Sequence, residues 1–134
     1  MVAAEYHAKP YEILISDDDE SCRESVREAL APHGYITHVV SCGREAIEVV
    51  RRHFIHVIIV DMNMPDLSGL QTVTIIHQEI QVVVPSILMS ADNSNELIAQ
   101  AEGAQFESFV PKPIDLGTLR RVVEQILRRH YADQ

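Results

Sequence analysis

Five side chains carry most of the chemistry this 134-residue sequence could do: the carboxylates of Asp17, Asp18 and Asp61, the hydroxyl of Ser90 and the ammonium of Lys112. Each stands at or just beyond the end of a short apolar run. If those runs are parallel strands of one sheet, their ends share a rim, and residues distant in sequence converge where such sheets bind ligands. Three carboxylates crowded there repel one another and stay partly protonated unless a cation intervenes. A hard divalent ion with oxygen ligands, Mg²⁺ (or Mn²⁺), resolves the conflict. Ser90 offers a hydroxyl donor and Lys112 a point charge, both suited to phosphoryl oxygens. Together these groups suit transfer of a phosphoryl group onto Asp61 as nucleophile. Lysine is rare in this sequence, with Lys9 the only other one.

The elements that must position these groups follow from pattern. Val57-Ile58-Ile59-Val60 runs unbroken into Asp61, as expected of a strand covered on both faces in a parallel sheet flanked by helices. Residues 13–16 enter Asp17-Asp18-Asp19 in the same way. Further strands are expected over 36–40, over 86–90 behind Pro85, and over 106–110. Cys22, Val26, Ala29 and Leu30 recur with a helical period that Pro32 and Gly34 stop. Ala46, Val49, Val50 and Phe54 give a second stripe from about Gly43. A third helix is expected over 70–79, although Thr72 to Ile76 are all β-branched, because parallel strands need a crossover. A weak fourth helix spans 93–102 before Gly103. The last carries Leu116, Leu119, Val122, Val123, Ile126 and Leu127 on one face, with Arg120, Arg121, Arg128 and Arg129 largely off it.

The βα unit thus occurs five times. It predicts a five-stranded parallel sheet flanked by helices, a flavodoxin-like, doubly wound (βα)5 three-layer α/β sandwich. Residues 1–10 read as a mobile leader, 11–130 as one domain and 131–134 as a tail.

Composition narrows the function. A hydrophobic content of 46% without low-complexity tracts suits a globular chain. No apolar stretch approaches membrane-spanning length, and 1–10 lacks a signal-peptide core, so a cytoplasmic protein without a membrane partner is expected. Twenty acidic against eleven basic residues give a net charge of -9, which argues against nucleic-acid binding by this chain alone. Cys22 and Cys42 form no metal or redox motif and are expected as small core fillers in a reducing compartment. His53 and His56 stand i, i+3 across a helix end, with no carboxylate or cysteine in sequence to complete a metal set, so they are expected as ordinary surface or loop residues.

In four motifs the sequence resembles the receiver domain of two-component response regulators, the chemotaxis regulator among them. These are Ile13-Leu14-Ile15-Ser16-Asp17-Asp18-Asp19-Glu20, Val60-Asp61-Met62-Asn63-Met64-Pro65 with Gly69-Leu70, Pro85-Ser86-Ile87-Leu88-Met89-Ser90-Ala91, and Gly103-Ala104 with Phe109-Val110-Pro111-Lys112-Pro113. A lone aliphatic run ending in Asp is common; four motifs in order over 11–129 are specific. The resemblance implies that Asp61 accepts phosphate from a phosphohistidine on a sensor histidine kinase or phosphotransfer protein. It implies Asp18, Asp61 and the Asn63 backbone carbonyl as direct metal ligands, with Asp17 acting through water. Ser90, followed by small Ala91, falls at the switch hydroxyl, Lys112 at the phosphate-binding lysine and Phe109 at the aromatic that rotates on activation. The Lys112–Pro113 bond is similar to one usually cis in the family. Asn63 and Asp92 lie where the family tunes phosphate lifetime, so self-dephosphorylation rather than enzymatic turnover is expected. The downstream effector is not legible, and dimerisation is open.

The sequence departs from the family at three places. Ser16 stands where an aliphatic residue is usual, so an Asp18/Asp19 frame competes with Asp17/Asp18. Phe109 lacks the hydroxyl of the commoner tyrosine and competes with a static core role. Gln81 to Val84 is apolar where a polar loop is usual, and either lengthens the fourth strand or forms a contact patch. The four arginines of the last helix suit a solvated face or a partner contact. Asp17-Asp18-Asp19 alone would suit a helix cap. Two other functions compete. A haloacid-dehalogenase-type phosphatase would use Asp17-x-Asp19, but leaves Asp61 unexplained and lacks a later acidic pair and a cap domain. A receiver-like scaffold that never takes phosphate conflicts with the intact acidic set.

Overall fold

All five residues of Val57–Asp61 are buried. Alternate side chains of a strand point to opposite faces, so such a strand needs helices on both sides. The computed structural model describes residues 10–132 and supplies them. In chain order the elements are β1 (Glu12–Ser16), α1 (Glu20–Leu30), a 3-10 turn (Ala31–His33), β2 (Ile36–Val40), α2 (Gly43–Arg52) and β3 (Val57–Asp61). There follow α3 (Gly69–Ile80), β4 (Ser86–Ser90), α4 (Asn95–Gly103), β5 (Ser108–Pro111) and α5 (Leu116–Tyr131). The strands pair in parallel in the order β2-β1-β3-β4-β5. The chain reverses its direction of winding between β1 and β3, which opens a crevice at their carboxyl ends.

Two apolar layers sandwich the sheet. Ile13, Ile15, Val57, Ile59, Ile87 and Met89 face Val26 and Leu30 of α1 and Leu119, Val123, Ile126 and Leu127 of α5. The alternate residues Leu14, Ile58, Val60 and Leu88 face α2, α3 and α4. Gly34 ends the first helical unit at φ 82°, where a residue with a Cβ would be strained. The three-layer (βα)5 sandwich is as expected. The leader, apart from Pro10, and residues 133–134 lie outside the described residues. Among those described, no helix is long and apolar enough to cross a membrane.

The departures have local causes. α3 forms despite its β-branched run because Ser68 and Gln71 close a capping box and Thr72, Val73 and Ile76 are buried. Tertiary packing and a cap outweigh weak propensity. α4 starts at Asn95 rather than 93 because Ser94 caps it through the Leu97 N–H. β5 begins two residues later than expected, while Phe106 is buried ahead of it. Phe54, expected on the α2 stripe, lies beyond the helix and is 69% exposed; Ile47 takes its place in the core. Residues 82 and 83 do not lengthen β4. Gln81 ends α3 at φ 57°, Val84 turns inward, and Val82 and Val83 stay exposed. Neither cysteine is fully buried: Cys22 packs at the edge of the α1–α5 core, and Cys42 occupies the position before α2. The four arginines of α5 are all exposed, Arg128 pairing with Glu124 and Arg129 with Glu107.

Cys42 makes no side-chain cap, so the first N–H groups of α2 take a partner from elsewhere. Asp66, in the β3–α3 loop, accepts from Gly43 at 3.0 Å and Arg44 at 2.9 Å. It therefore ties α2 to the loop after Asp61. Burial alone would raise this carboxyl, but the backbone donors Arg44, Gly43 and Leu67 outweigh it and hold the group at about 2. A depressed acid stabilises the fold above its unfolded pKa and loses that contribution as pH falls through the folded value. Asp66→Ala is expected to cost about 1–2 kcal/mol in urea unfolding at neutral pH, the range for a lost helix cap. The gap between Asp66→Ala and the parent should close as the pH falls from about 4 towards 2; a gap that persists at the acid end rules out the charged cap.

Candidate functional site

Strand register brings the proposed groups to one rim. Ser16 is level with Val40 on one side and Val60 on the other, Asp61 with Met89, and Ser90 with Pro111. Backbone bonds continue past the strand ends: Asp17 N–H donates to Val40 O at 3.2 Å, Met62 N–H to Met89 O at 2.9 Å, and Lys112 N–H to Ser90 O at 2.9 Å. The main chain at Asp17 and Lys112 and just beyond Asp61 is thus fixed by the sheet rather than by a free loop.

Lys112 Nζ lies 2.8 Å from Asp17 Oδ2 and 3.0 Å from Asp61 Oδ1. Asp17 is fully buried and Asp61 is 4% exposed. One carboxylate oxygen from each of Asp17, Asp18 and Asp61 lies within 4.8 Å of the others, Asp18 being the exposed member. Burial pushes the Asp61 carboxyl above its ordinary value; Lys112 pulls it down, and Asp17 and Asp18 push it up again. For Lys112, burial disfavours the ammonium, yet the bonds to Asp17 and Asp61 win and raise it. The site is an acid cluster held by one ammonium.

Asp19, the alternative member of the acidic pair, is occupied elsewhere. Its carboxylate accepts from Ser21 at 2.9 Å and Cys22 at 3.3 Å, capping α1. Asp17 in turn accepts the Asp19 N–H at 2.9 Å and, through its carbonyl, an Arg23 guanidinium bond at 2.9 Å. Asp17 and Asp18 therefore face Asp61, and the phosphatase-like pair Asp17-x-Asp19 does not assemble. Ser16 suits its apolar position because its buried hydroxyl donates to Cys42 O at 3.3 Å and Met64 Sδ at 3.1 Å.

The remaining groups sit as follows. Ser90 is 1% exposed, and its Oγ accepts the Asp92 N–H at 3.0 Å. Ala91, Asp92 and Asn63 are exposed. Asn63, Ser90 and Asp92 line one cleft at the rim with Met62 and Glu96. The Asp92 carboxylate accepts the Ser94 N–H at 2.9 Å, bracing the turn into α4. Phe109 is half-buried against the α2–α3–α4 side, and the Lys112–Pro113 bond is cis.

Sequence reasoning missed three parts. The role of Gly69, named only as part of a motif, is one: a Cβ there would lie 2.6 Å from the Asp61 carbonyl oxygen and 2.9 Å from Leu88 Cδ1. Only glycine lets α3 start against the backbone of Asp61. Cys22 is the second: burial first, and then its bond to Asp17, push its thiol up to about 12, so it stays protonated beside the acids. The third corrects an expectation. A carboxylate does complete a set around His53, because Glu12 and His38 come within reach of it in space. His56 accepts the Glu12 N–H at 2.9 Å, a structural role.

The comparisons with known proteins agree with this geometry. The model of the response regulator receiver domain matches residues 13–124. The chain is similar to response regulator MprA of Mycolicibacterium vanbaalenii, 30% identical over 92% of this chain and 53% of the relative. It is similar also to response regulator RR06 of Streptococcus pneumoniae, 29% identical over 89% of this chain and 54% of that one. The chain thus spans about half the length of the curated relatives it matches. In structure it is similar to chemotaxis protein CheY4 of Vibrio cholerae, with a TM-score of 0.84 and 26% identity over 89% of this chain and all of that one. A Francisella response regulator receiver domain gives 0.83 and 25% over 90% and 98%.

The electrostatics predict opposite effects of two substitutions. An acid raised by burial favours the fold when protonated and loses that contribution as pH rises through its folded pKa. Asp61→Asn, which removes an ionised buried acid, is expected to raise the urea midpoint at neutral pH in metal-free buffer. Lys112→Met leaves buried carboxylates uncompensated and is expected to cost about 3–5 kcal/mol. Equal midpoints for both variants and the parent would contradict this account of the cluster.

Proposed function

This chain belongs to the response regulator receiver domain family, and on that premise we propose that Asp61 is its phosphoacceptor. The observation that carries the proposal is the convergence of Asp17, Asp18 and Asp61 on one ammonium, Lys112, at the carboxyl end of the sheet. A carboxylate oxygen of Asp61 attacks the phosphorus of a phosphohistidine. The P–O bond forms as the P–N bond breaks, and the imidazole leaves with that electron pair. The donor is a sensor histidine kinase or a phosphotransfer protein in the cytoplasm.

The donor set fits a hard divalent ion, since all three carboxylates supply oxygen and one ammonium leaves them under-neutralised. Asp18 and Asp61 would hold Mg²⁺ (or Mn²⁺) directly with the Asn63 backbone carbonyl, and Asp17 through water. When bound, the ion neutralises charge that builds on the transferring phosphoryl oxygens. Lys112 does the same from the β5 side. It already touches Asp61, so a phosphoryl group on that residue need only share an existing partner.

Ser90 links acceptance to shape. Its hydroxyl holds the Asp92 N–H. A new anion on Asp61 takes the O–H of the same hydroxyl as donor, and as Ser90 is drawn towards it the β4–α4 turn through Ala91 and Asp92 shifts with it. Half-buried Phe109 then repacks, which alters the α4–β5–α5 surface read by an effector. The phosphatase reading has no support in the site, because Asp19 is spent on capping α1.

Incubation with acetyl phosphate and Mg²⁺ should add one phosphoryl group to the intact mass, and Asp61→Asn should add none. No added mass in the parent, or an unchanged addition in Asp61→Asn, overturns the proposal. Asn63 and Asp92 flank the cleft where a hydrolytic water would approach. Replacing both with apolar residues is expected to lengthen the aspartyl-phosphate lifetime by about tenfold or more, in line with the 10²–10⁴-fold worth of positioned proton transfer. A lifetime unchanged in that double variant removes both residues from hydrolysis.

A further inference from the structure

At the opposite end of the sheet the fold assembles a second set of ligating groups. Glu12 opens β1, His38 lies in the edge strand β2, and His53 directly follows α2. Leu14 is level with His38 in the ladder, so Glu12 and His38 are diagonal neighbours on the face that carries α2. α2 runs back against the strands, which brings the residue after it to the same place. His38 Nε2 lies 2.8 Å from Glu12 Oε1, and His53 Nδ1 lies 4.0 Å from that same oxygen. The two imidazoles are 4.4 Å apart at their centroids. One ligand atom from each residue falls within 4.8 Å of the other two.

We propose that Glu12, His38 and His53 form a second metal site, for a borderline divalent transition ion of which Zn²⁺ is the best fit. Two imidazoles and one carboxylate are a donor set that such ions favour and that Mg²⁺ does not. The three side chains come from three elements, and a ligand set converging on one oxygen needs only a small closure to surround an ion. Glu12 is anchored on both sides: its N–H donates to His56 Nδ1 at 2.9 Å and its carbonyl accepts from His56 N–H at 2.9 Å. The side chain of His38 is 18% exposed and that of Glu12 28%, whereas His53 is 46% exposed. Two ligands are therefore pre-positioned, and the third stands at the entrance. Three protein donors leave a position for water or a partner's ligand. A bound ion clips the edge strand β2 to β1 and to the end of α2, at the far end of the sheet from the phosphoacceptor.

The two sites differ in hardness, which makes the test separable. Isothermal titration of the full chain with ZnCl₂, in excess MgCl₂ to occupy the acidic rim, is expected to show one ion per chain. His38→Gln and His53→Gln should each weaken that event by at least about tenfold, and an Asp18→Asn/Asp61→Asn background should leave it intact. His33→Gln, at a histidine stacked on Tyr35 away from the set, should have no effect. In parallel, Zn²⁺ should raise the melting temperature of the parent and of the Asp18→Asn/Asp61→Asn chain, but not of His53→Gln, whose exposed side chain makes the variant safe to fold. Absence of the Zn²⁺ event in the parent overturns the proposal. So does an event that survives both histidine substitutions, or one that disappears with Asp18 and Asp61.

Discussion

The structure depends on one electrostatic constraint: three carboxylates held at one rim with a single ammonium among them. Coulomb repulsion at such spacing is large in a buried setting and small in water. The cluster persists because Asp17 and Asp61 are buried by the sheet and cannot move apart to hydrate. Lys112 reaches both, at 2.8 and 3.0 Å, and that contact is the main offset to their repulsion. Burial, first, and then the neighbouring acids still hold the Asp61 carboxyl above its ordinary value against the pull of Lys112. Three carboxylates with one ammonium leave a net negative charge, which favours a cation at this rim.

The scaffold supplies the rigidity this constraint requires. Each acidic or basic group ends or closely follows a strand locked in register, and the main chain beyond Asp61 is pinned by Met62 bonding to Met89. Gly69 lets the start of α3 press on the Asp61 carbonyl, and Asp66 ties the same loop to α2. Movement of the Asp61 loop therefore strains two helices at once. The β4–α4 turn is held differently. It rests on one hydroxyl, that of buried Ser90, and on the solvent-exposed Asp92–Ser94 bond. In the proposed switch, the rigid wall carries the charge and the lightly held turn responds to it.

Much of this was legible in the sequence, because buried strands leave short apolar runs, the clearest being Val57 to Val60, and end at or just before the residues they present. The sheet, its order of units and the set Asp17, Asp18, Asp61, Ser90 and Lys112 all follow from that local signature. What stayed hidden was set by contacts between elements. Nothing near Cys42 shows that its helix is capped by Asp66 from a later loop. β-branched Thr72 to Ile76 mislead until Ser68 is seen to cap them and the core to bury them. Phe54 fits a helical period that the helix does not continue long enough to use. His53 is isolated in sequence because its neighbours Glu12 and His38 come from two strands distant along the chain.

The two ends of the sheet illustrate how one topology sorts ligands by chemistry. At the carboxyl ends, turns emerge from buried strands, so short acidic side chains meet with little water and offer only oxygen. At the amino ends, β1 and β2 begin near the surface and α2 terminates beside them, so a mostly buried imidazole, His38, and a half-exposed one, His53, meet a carboxylate. Hard and borderline ions partition between such donor sets by ligand type rather than by raw affinity. Because every strand of a parallel sheet points the same way, these donor sets cannot mix. Charge added at Asp61 and an ion held by His38 and His53 would act at opposite ends of the sheet, linked through β1, which is buried from Ile13 to Ser16, and through α2, whose start Asp66 ties to the Asp61 loop.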